Sequence, residues 1–238
     1  MREVFDSKYT EAKWGWDPIS GSTSGPGSQK DAALPFTVSV TKFIDQNKVA
    51  SVLDIGCGDW AIWTSEDFMG VTYLGIDASK TVIARNKEKF ASTNVSFENL
   101  DAVNGSLQVS DLVIIKDVLQ HLSNRDVSKL LSKVQSRYLI ICNDVRFFPV
   151  KTFWKELKRR ISIFINRGFN LKDSLAKQNT DIQNGEYRCI DVTKKPFFFG
   201  RQSYRLLETF FYPGSSRKRT SVRKRVDFFQ RFEVSDLK

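Results

Sequence analysis

The chain has 238 residues, of which 41% are hydrophobic and 27% charged, and a formal net charge of +10. This is the composition of an ordinary globular protein with enough chain for one full core. With one histidine a histidine-based metal cluster is excluded, and three widely spaced cysteines suggest neither a disulfide framework nor a zinc site. There is no run of about 18 apolar residues. The N-terminus is polar and charged, so a cytoplasmic location is expected. The positive charge concentrates between Lys151 and Lys172 and between Arg217 and Arg225. Such runs either meet a polyanionic partner or form solvated basic faces.

Residues 1–30 lack a clear periodicity and read as a loop or lid segment ahead of a single domain over 31–238. Trp14 and Trp16 precede a serine- and glycine-rich stretch over 20–28. A loop of this kind is either a flexible linker or a fold-over segment whose backbone N–H groups face a ligand. Residues 31–46 read as a helix with Leu34, Val38, Phe43 and Ile44 near one face. A regular alternation follows. Strands are expected at 50–55, 71–77, 95–98, 111–115 and 138–142, with helices at 60–68, 79–90 and 124–134. Ser79 is a plausible N-cap. Strands alternating with helices at this spacing predict a parallel α/β sheet.

The pattern changes after strand five. Residues 151–167 read as a basic amphipathic helix within an insertion at about 150–185. Three readings stay open for it: a lid, a partner or dimer face, and a membrane-surface or polyanion contact. Residues 168–186 are loop-like, and 187–192, 204–212 and 225–232 are β-rich. The last two would pair as an antiparallel hairpin around a solvated basic loop.

In an open α/β sheet, ligands bind at the carboxyl ends of the strands near the switch point. These ends offer Asp54 with the Gly56–Gly58 turn, then Asp77, Asp101, Lys116-Asp117 with His121, and Asn143-Asp144. Carboxylates repel phosphate, and no G-K-[ST] motif is present, which argues against NAD(P), ATP and GTP. A ligand with a ribose and a cationic centre fits better. Asp77 lies 19 residues after Gly58, where a carboxylate takes ribose hydroxyls. Asp101 would face an adenine amine, and Asp54 with the glycine turn an amino-acid moiety. This describes S-adenosylmethionine.

Leu53-Asp54-Ile55-Gly56-Cys57-Gly58-Asp59-Trp60, Leu74-Gly75-Ile76-Asp77, Leu100-Asp101-Ala102 and Asp111 to Leu122 resemble the successive motifs of class I, Rossmann-like S-adenosylmethionine-dependent methyltransferases. The resemblance covers roughly residues 48–144. It implies a seven-stranded, mostly parallel sheet with an antiparallel last strand and helices on both faces. It assigns cofactor binding to Asp54, Gly56, Cys57, Gly58, Asp77, Ala78, Asp101, Ala102 and Lys116. Trp60 stands where the family commonly has a third glycine, and would pack on the cofactor or on the core. The flanks, with the serine/glycine loop at 20–28, the segment Gly185 to Val192 and Pro196-Phe197, resemble less specifically a group of viral and bacterial glycan methyltransferases, such as the chlorovirus capsid-glycan methyltransferase domains.

An alcohol acceptor needs a base. Asp117 and His121 are the candidates, with Asp117 either the base itself or the group that orients His121. Asn143, Asp144 and Arg188, with Ser24, Gly25 and Ser28, are candidate acceptor contacts. Asp117, Asp144 and Asp191 could assemble a cation site, but their spacing demands no metal. The cysteines read as core residues. The expected function is methylation of a sugar hydroxyl of a glycan or small-molecule acceptor. Alternatives are an RNA methyltransferase and a non-catalytic cofactor-binding module. A homodimer is possible.

Overall fold

The computed structural model describes residues 2–15, 22–146, 178–200, 204–213 and 222–231. The elements are α1 (Arg2–Thr10), α2 (Lys30–Asn47), β1 (Ser51–Ile55), β2 (Thr72–Asp77), α3 (Lys80–Phe90), β3 (Val95–Asn99), β4 (Ser110–Lys116), α4 (Asn124–Lys133), β5 (Ser136–Arg146), β6 (Tyr204–Pro213) and β7 (Val222–Arg231). They form one sheet in the order β3-β2-β1-β4-β5-β7-β6. β1 to β5 pair in parallel, and β7 lies antiparallel between β5 and β6. The strand order reverses between β1 and β4, so the switch point lies over those two strands.

The alternation of side chains along each strand divides the core in two. Val52, Tyr73, Phe97, Ile114 and Ile140 face α2, represented by Phe36, Val40 and Ile44. Leu53, Ile76, Val113, Ile115 and Leu139 face Val127, Leu130 and Leu131 of α4. Because both faces of β1 and β4 are covered, their sequences are nearly continuous apolar runs. Ser79 and Ser123 cap α3 and α4 by accepting from Val82 N and Asp126 N.

Four expectations need correction. The N-terminal segment is not all loop, since residues 2–10 are helical. Its Asp6 carboxylate accepts from Ser79 Oγ at 2.6 Å and Thr81 N at 3.1 Å, so a tertiary contact at the start of α3 anchors a segment of weak periodicity. α2 buries Ala33, Phe36, Thr37, Val40 and Ile44, and leaves Leu34 and Val38 exposed. Residues 60–68 are turns closed by a short 3₁₀ helix at Ser65–Phe68. Trp60 adopts a φ of 59° there, and the Asp67 side chain accepts from Thr64 N and Oγ1, so the chain cannot run straight into a helix. Residues 187–192 form no strand. They lie against the end of β5 and the turn after β4, with Ile190 N donating to Asp144 O and Arg188 N to Gln120 O, single bonds that do not build a ladder. The β6–β7 pairing is as expected, with strands reaching Pro213 and starting at Val222. The basic helix expected at 151–167 lies outside the described residues.

Candidate active site

A cavity of about 700 Å³ opens over the carboxyl ends of the central strands. That is a size suited to a cofactor with a small acceptor. Its wall falls into two halves. One half is built from β1, β2 and β3: the turn Gly56-Cys57-Gly58, then Asp77-Ala78, then Leu100 to Val103. The other is built from β4, β5 and β7: Lys116, Asp117, Gln120, His121, Asp144 and Lys224. The N-terminal segment covers both, through Phe5, Lys8, Tyr9, Trp14, Ser24, Gly25, Gly27 and Ser28.

The turn after β1 is shaped by its hydrogen bonds. Gly56 N and Cys57 N both donate to Ile76 O, and Gly58 N donates to Asp77 Oδ2 at 3.2 Å. Gly58 has a φ of 57°, and a Cβ there would meet Ser24 Oγ at 2.7 Å. Only glycine lets the covering segment come this close. Thr23 N donates to Asp59 Oδ2 at 2.8 Å, and Ser24 Oγ accepts from Asp59 N at 3.1 Å, which fastens the 22–28 loop over the turn. Asp77 also accepts from Ser79 N at 2.8 Å. Burial pushes its carboxyl up to about 6 against those two hydrogen bonds. Asp101 closes its own turn by accepting from Val103 N and from Asn104 Nδ2.

On the other half, Asp117 follows β4 with a φ of 60°. Its carboxylate is bound by Lys116 Nζ at 2.8 Å and by Lys224 Nζ. Burial raises the Asp117 carboxyl, but the two ammonium groups outweigh it and hold it below the usual carboxylate range. Lys224 also meets Asp144 Oδ1 at 2.9 Å. Lys116 Nζ donates to Gly27 O at 2.9 Å, and so ties the covering loop to this charged group.

His121 sits between the rings of Trp14 and Tyr187, at centroid distances of 5.5 and 5.8 Å. Its Nδ1 lies 2.8 Å from Glu186 O. A carbonyl can only accept, so Nδ1 carries the proton and Nε2 keeps its lone pair. Burial pulls the imidazole below its ordinary value, against that hydrogen bond. Burial thus favours the neutral ring, in which Nε2 has the electronic form of a base.

The structure brings together on the cavity wall Gly56, Cys57, Gly58, Asp77, Ala78, Asp101, Ala102, Lys116, Asp117, His121, Asp144, Ser24, Gly25 and Ser28. Four predicted residues are placed elsewhere. Asp54 is buried behind the turn and accepts from Tyr73 Oη at 2.7 Å and Trp63 Nε1 at 3.3 Å. Trp60 packs into the aromatic core among Phe68, Tyr73, Phe90 and Phe97, which decides for the core over the cofactor. Asn143 is buried within β5, off the cavity wall. Arg188 donates to Leu122 O and Asn124 Oδ1, and so staples the 178–200 segment to the start of α4. The expected orientation of His121 by Asp117 is also corrected. The backbone of Glu186 orients His121, while Asp117 is occupied by lysines. The three-acid cation site does not form either, since Asp117 and Asp144 share Lys224 and Asp191 binds Arg225 and Lys194.

Sequence reasoning missed Tyr9, Trp14, Glu186, Tyr187 and Lys224. The charged run containing Lys224 reads as solvent-facing, yet Lys224 is 5% exposed and Arg225 binds Asp191. One signal was available. Lys224 stands two and four residues before Val226 and Phe228, on the same buried face of β7.

A parallel sheet in this order, with one antiparallel strand near its edge, an acid-lined cavity at its switch point and a glycine turn beneath a covering segment, defines the class I methyltransferase architecture. Residues 53–139 match the family model described as a methyltransferase domain, and this central stretch is such a domain. A search of curated proteins finds no match. Among solved structures, the chain is similar to magnesium protoporphyrin IX methyltransferase from Synechocystis PCC 6803 with bound SAH, at 17% identity and a TM-score of 0.60, over 97% of this chain and 98% of that one. It is similar to the N-methyltransferase NodS from Bradyrhizobium japonicum WM9 in complex with S-adenosyl-L-homocysteine, at 13% identity and a TM-score of 0.61, over 96% of this chain and 100% of that one. A third is 1,6-didemethyltoxoflavin-N1-methyltransferase from Burkholderia thailandensis, at 12% identity and a TM-score of 0.61, over 98% of this chain and 87% of that one.

Proposed function

We propose that the chain transfers a methyl group from S-adenosylmethionine to a hydroxyl of a small, uncharged hydroxylated acceptor, such as a sugar unit of a glycan. The observation that carries this reading is His121 on the cavity wall with its Nδ1 engaged by Glu186 O, an arrangement that leaves Nε2 of the neutral ring as acceptor. Bound here, the cofactor supplies an electrophilic methyl on a sulfonium centre. The half of the cavity over β1–β3 suits the cofactor. Asp77 offers ribose hydroxyls a carboxylate, and the backbone of Gly56 to Gly58 approaches without side-chain bulk. The half over β4, β5 and β7 then receives the acceptor. His121 takes the hydroxyl proton as the oxygen attacks. Trp14 and Tyr187 supply apolar faces.

Five carboxylates (Asp77, Asp101, Asp117, Asp144 and Glu186) line the cavity against three lysines (Lys8, Lys116 and Lys224), a net charge of −2 with His121 neutral. This favours a cationic cofactor and disfavours a phosphorylated acceptor or a nucleic-acid strand, despite the +10 of the whole chain. The test is methyl transfer from labelled cofactor to a panel of deoxyhexoses, nucleosides and RNA. Labelling of the sugars alone supports the reading, and labelling of RNA alone overturns it.

A further inference from the structure

Lys224 is a buried cavity residue to which this reaction gives no task. It arrives from β7, while the charged groups it meets or neighbours, Lys116, Asp117 and Asp144, come from the ends of β4 and β5. Its side chain is 7% exposed and lies between two carboxylates, at 2.9 Å from Asp144 Oδ1 and in contact with Asp117 Oδ1. Asp144 also accepts from Tyr187 Oη at 2.7 Å. Asp117 is held from its other side by Lys116. The carboxylates remain more open to the cavity than the lysine, at 19% for Asp117 and 15% for Asp144.

This is a wall of paired opposite charges, and its chemistry selects. A hydroxyl both donates and accepts, so one oxygen can take an N–H from Lys224 and give its own O–H to Asp144. An anionic group faces two carboxylates. An apolar group displaces water from the ion pairs and returns no hydrogen bond. The same wall stands beside His121, the group that takes the proton of the methylated hydroxyl. Trp14 and Tyr187 flank His121 with flat faces for a ring.

We propose that Lys224 and Asp144 form an acceptor subsite that holds the hydroxyl next to the one being methylated. The substrate class is then a neutral ring carrying a vicinal diol. This rests on the reading of transfer to a ring hydroxyl and adds the requirement for a neighbouring one.

The test uses the full chain with a deoxyhexose that accepts label, after its methylated position has been mapped. Monodeoxy analogues lacking the neighbouring hydroxyl or a remote one are compared with it. Loss of the neighbour should raise KM about 10- to 100-fold, as for a lost hydrogen bond to a charged group, and loss of a remote hydroxyl should change it less than about 3-fold. Lys224→Gln should raise KM for the parent sugar to a similar degree and erase the discrimination between parent and neighbour-deoxy sugar, with S-adenosylhomocysteine affinity retained. Lys224→Arg should recover part of the discrimination. If the glutamine variant does not fold, the analogue series with the wild-type chain decides alone. Equal KM for parent and neighbour-deoxy sugar overturns the subsite and leaves the O-methyl reading standing. Methylation of no hydroxylated ring overturns both.

Discussion

The proposed role of Asp77 as a carboxylate for ribose hydroxyls conflicts with its burial, and Asp77→Asn exposes the conflict. Burial raises this carboxyl from 3.8 to about 6. A displacement of about 2 units corresponds to about 3 kcal/mol against ionisation in the folded state. The sign follows from the proton balance. Between about pH 4 and pH 6 the unfolded chain has released this proton while the folded chain retains it, so stability falls as pH rises through that window and stays low above it. Asparagine carries no charge to bury. It keeps one acceptor oxygen, where the carboxylate accepts from both Gly58 N and Ser79 N, and the lost hydrogen bond costs about 1 kcal/mol. The net gain at pH 8 without cofactor is about 1–2 kcal/mol, or about 2–8 °C in Tm for a chain of this size. At pH 4 the gain should vanish, because the folded chain keeps Asp77 protonated there and the penalty develops only as pH rises from about 4 to 6. Thermal unfolding at the two pH values measures this, and calorimetric titration with S-adenosylhomocysteine should show an affinity at least about tenfold weaker, as for a lost charge-assisted hydrogen bond. A variant less stable than wild type at pH 8, or equally stabilised at both pH values, refutes the reasoning.

Three further outcomes are expected. His121→Ala should lower kcat by about 10²- to 10⁴-fold while leaving cofactor affinity within a few-fold, as for a lost general base; the wild-type pH profile should rise to a plateau with a midpoint below 6.5, because burial depresses the imidazole. Gly58→Ala places a Cβ 2.7 Å from Ser24 Oγ at a φ of 57°; limited proteolysis should then cut the 1–28 segment faster, with weaker cofactor binding, and an unchanged digestion pattern would argue against the fastening role. Trp60→Ala should destabilise the fold by about 3–5 kcal/mol in denaturant unfolding, since it empties a large core site; a variant of normal stability with lost cofactor affinity would reassign this residue to the cavity.

The central α/β alternation was legible because its signal is local. Apolar-rich runs of six or seven residues ending in acids, such as Val49 to Asp54 and Val71 to Asp77, report burial on both faces and a turn at the carboxyl end. The site residues at those ends followed from topology, since strand ends of one parallel sheet converge at the switch point. Asp77, Asp101 and His121 reach the cavity for that reason.

Side-chain direction was not legible. Asp54 and Asp77 end neighbouring parallel strands in similar motifs, yet the first turns toward Tyr73 and Trp63 and the second toward the cavity. Trp60 joins the core through the positive φ of its own turn. Asp117 and His121, four residues apart, were expected to act together, but each is claimed by a distant segment: Asp117 by Lys224, and His121 by the backbone of Glu186.

The sequence by itself therefore determined the sheet, the order of its motifs and the acidic character of the strand ends, all of which depend on short-range patterning. Only the tertiary structure decided that α1 and the 22–28 loop cover the cavity, that Lys224 is buried between Asp117 and Asp144, and that the Glu186 carbonyl engages Nδ1 of His121. Each of these rests on partners more than 30 residues away, and an ion pair or a buried imidazole exists only where the fold brings both groups out of water.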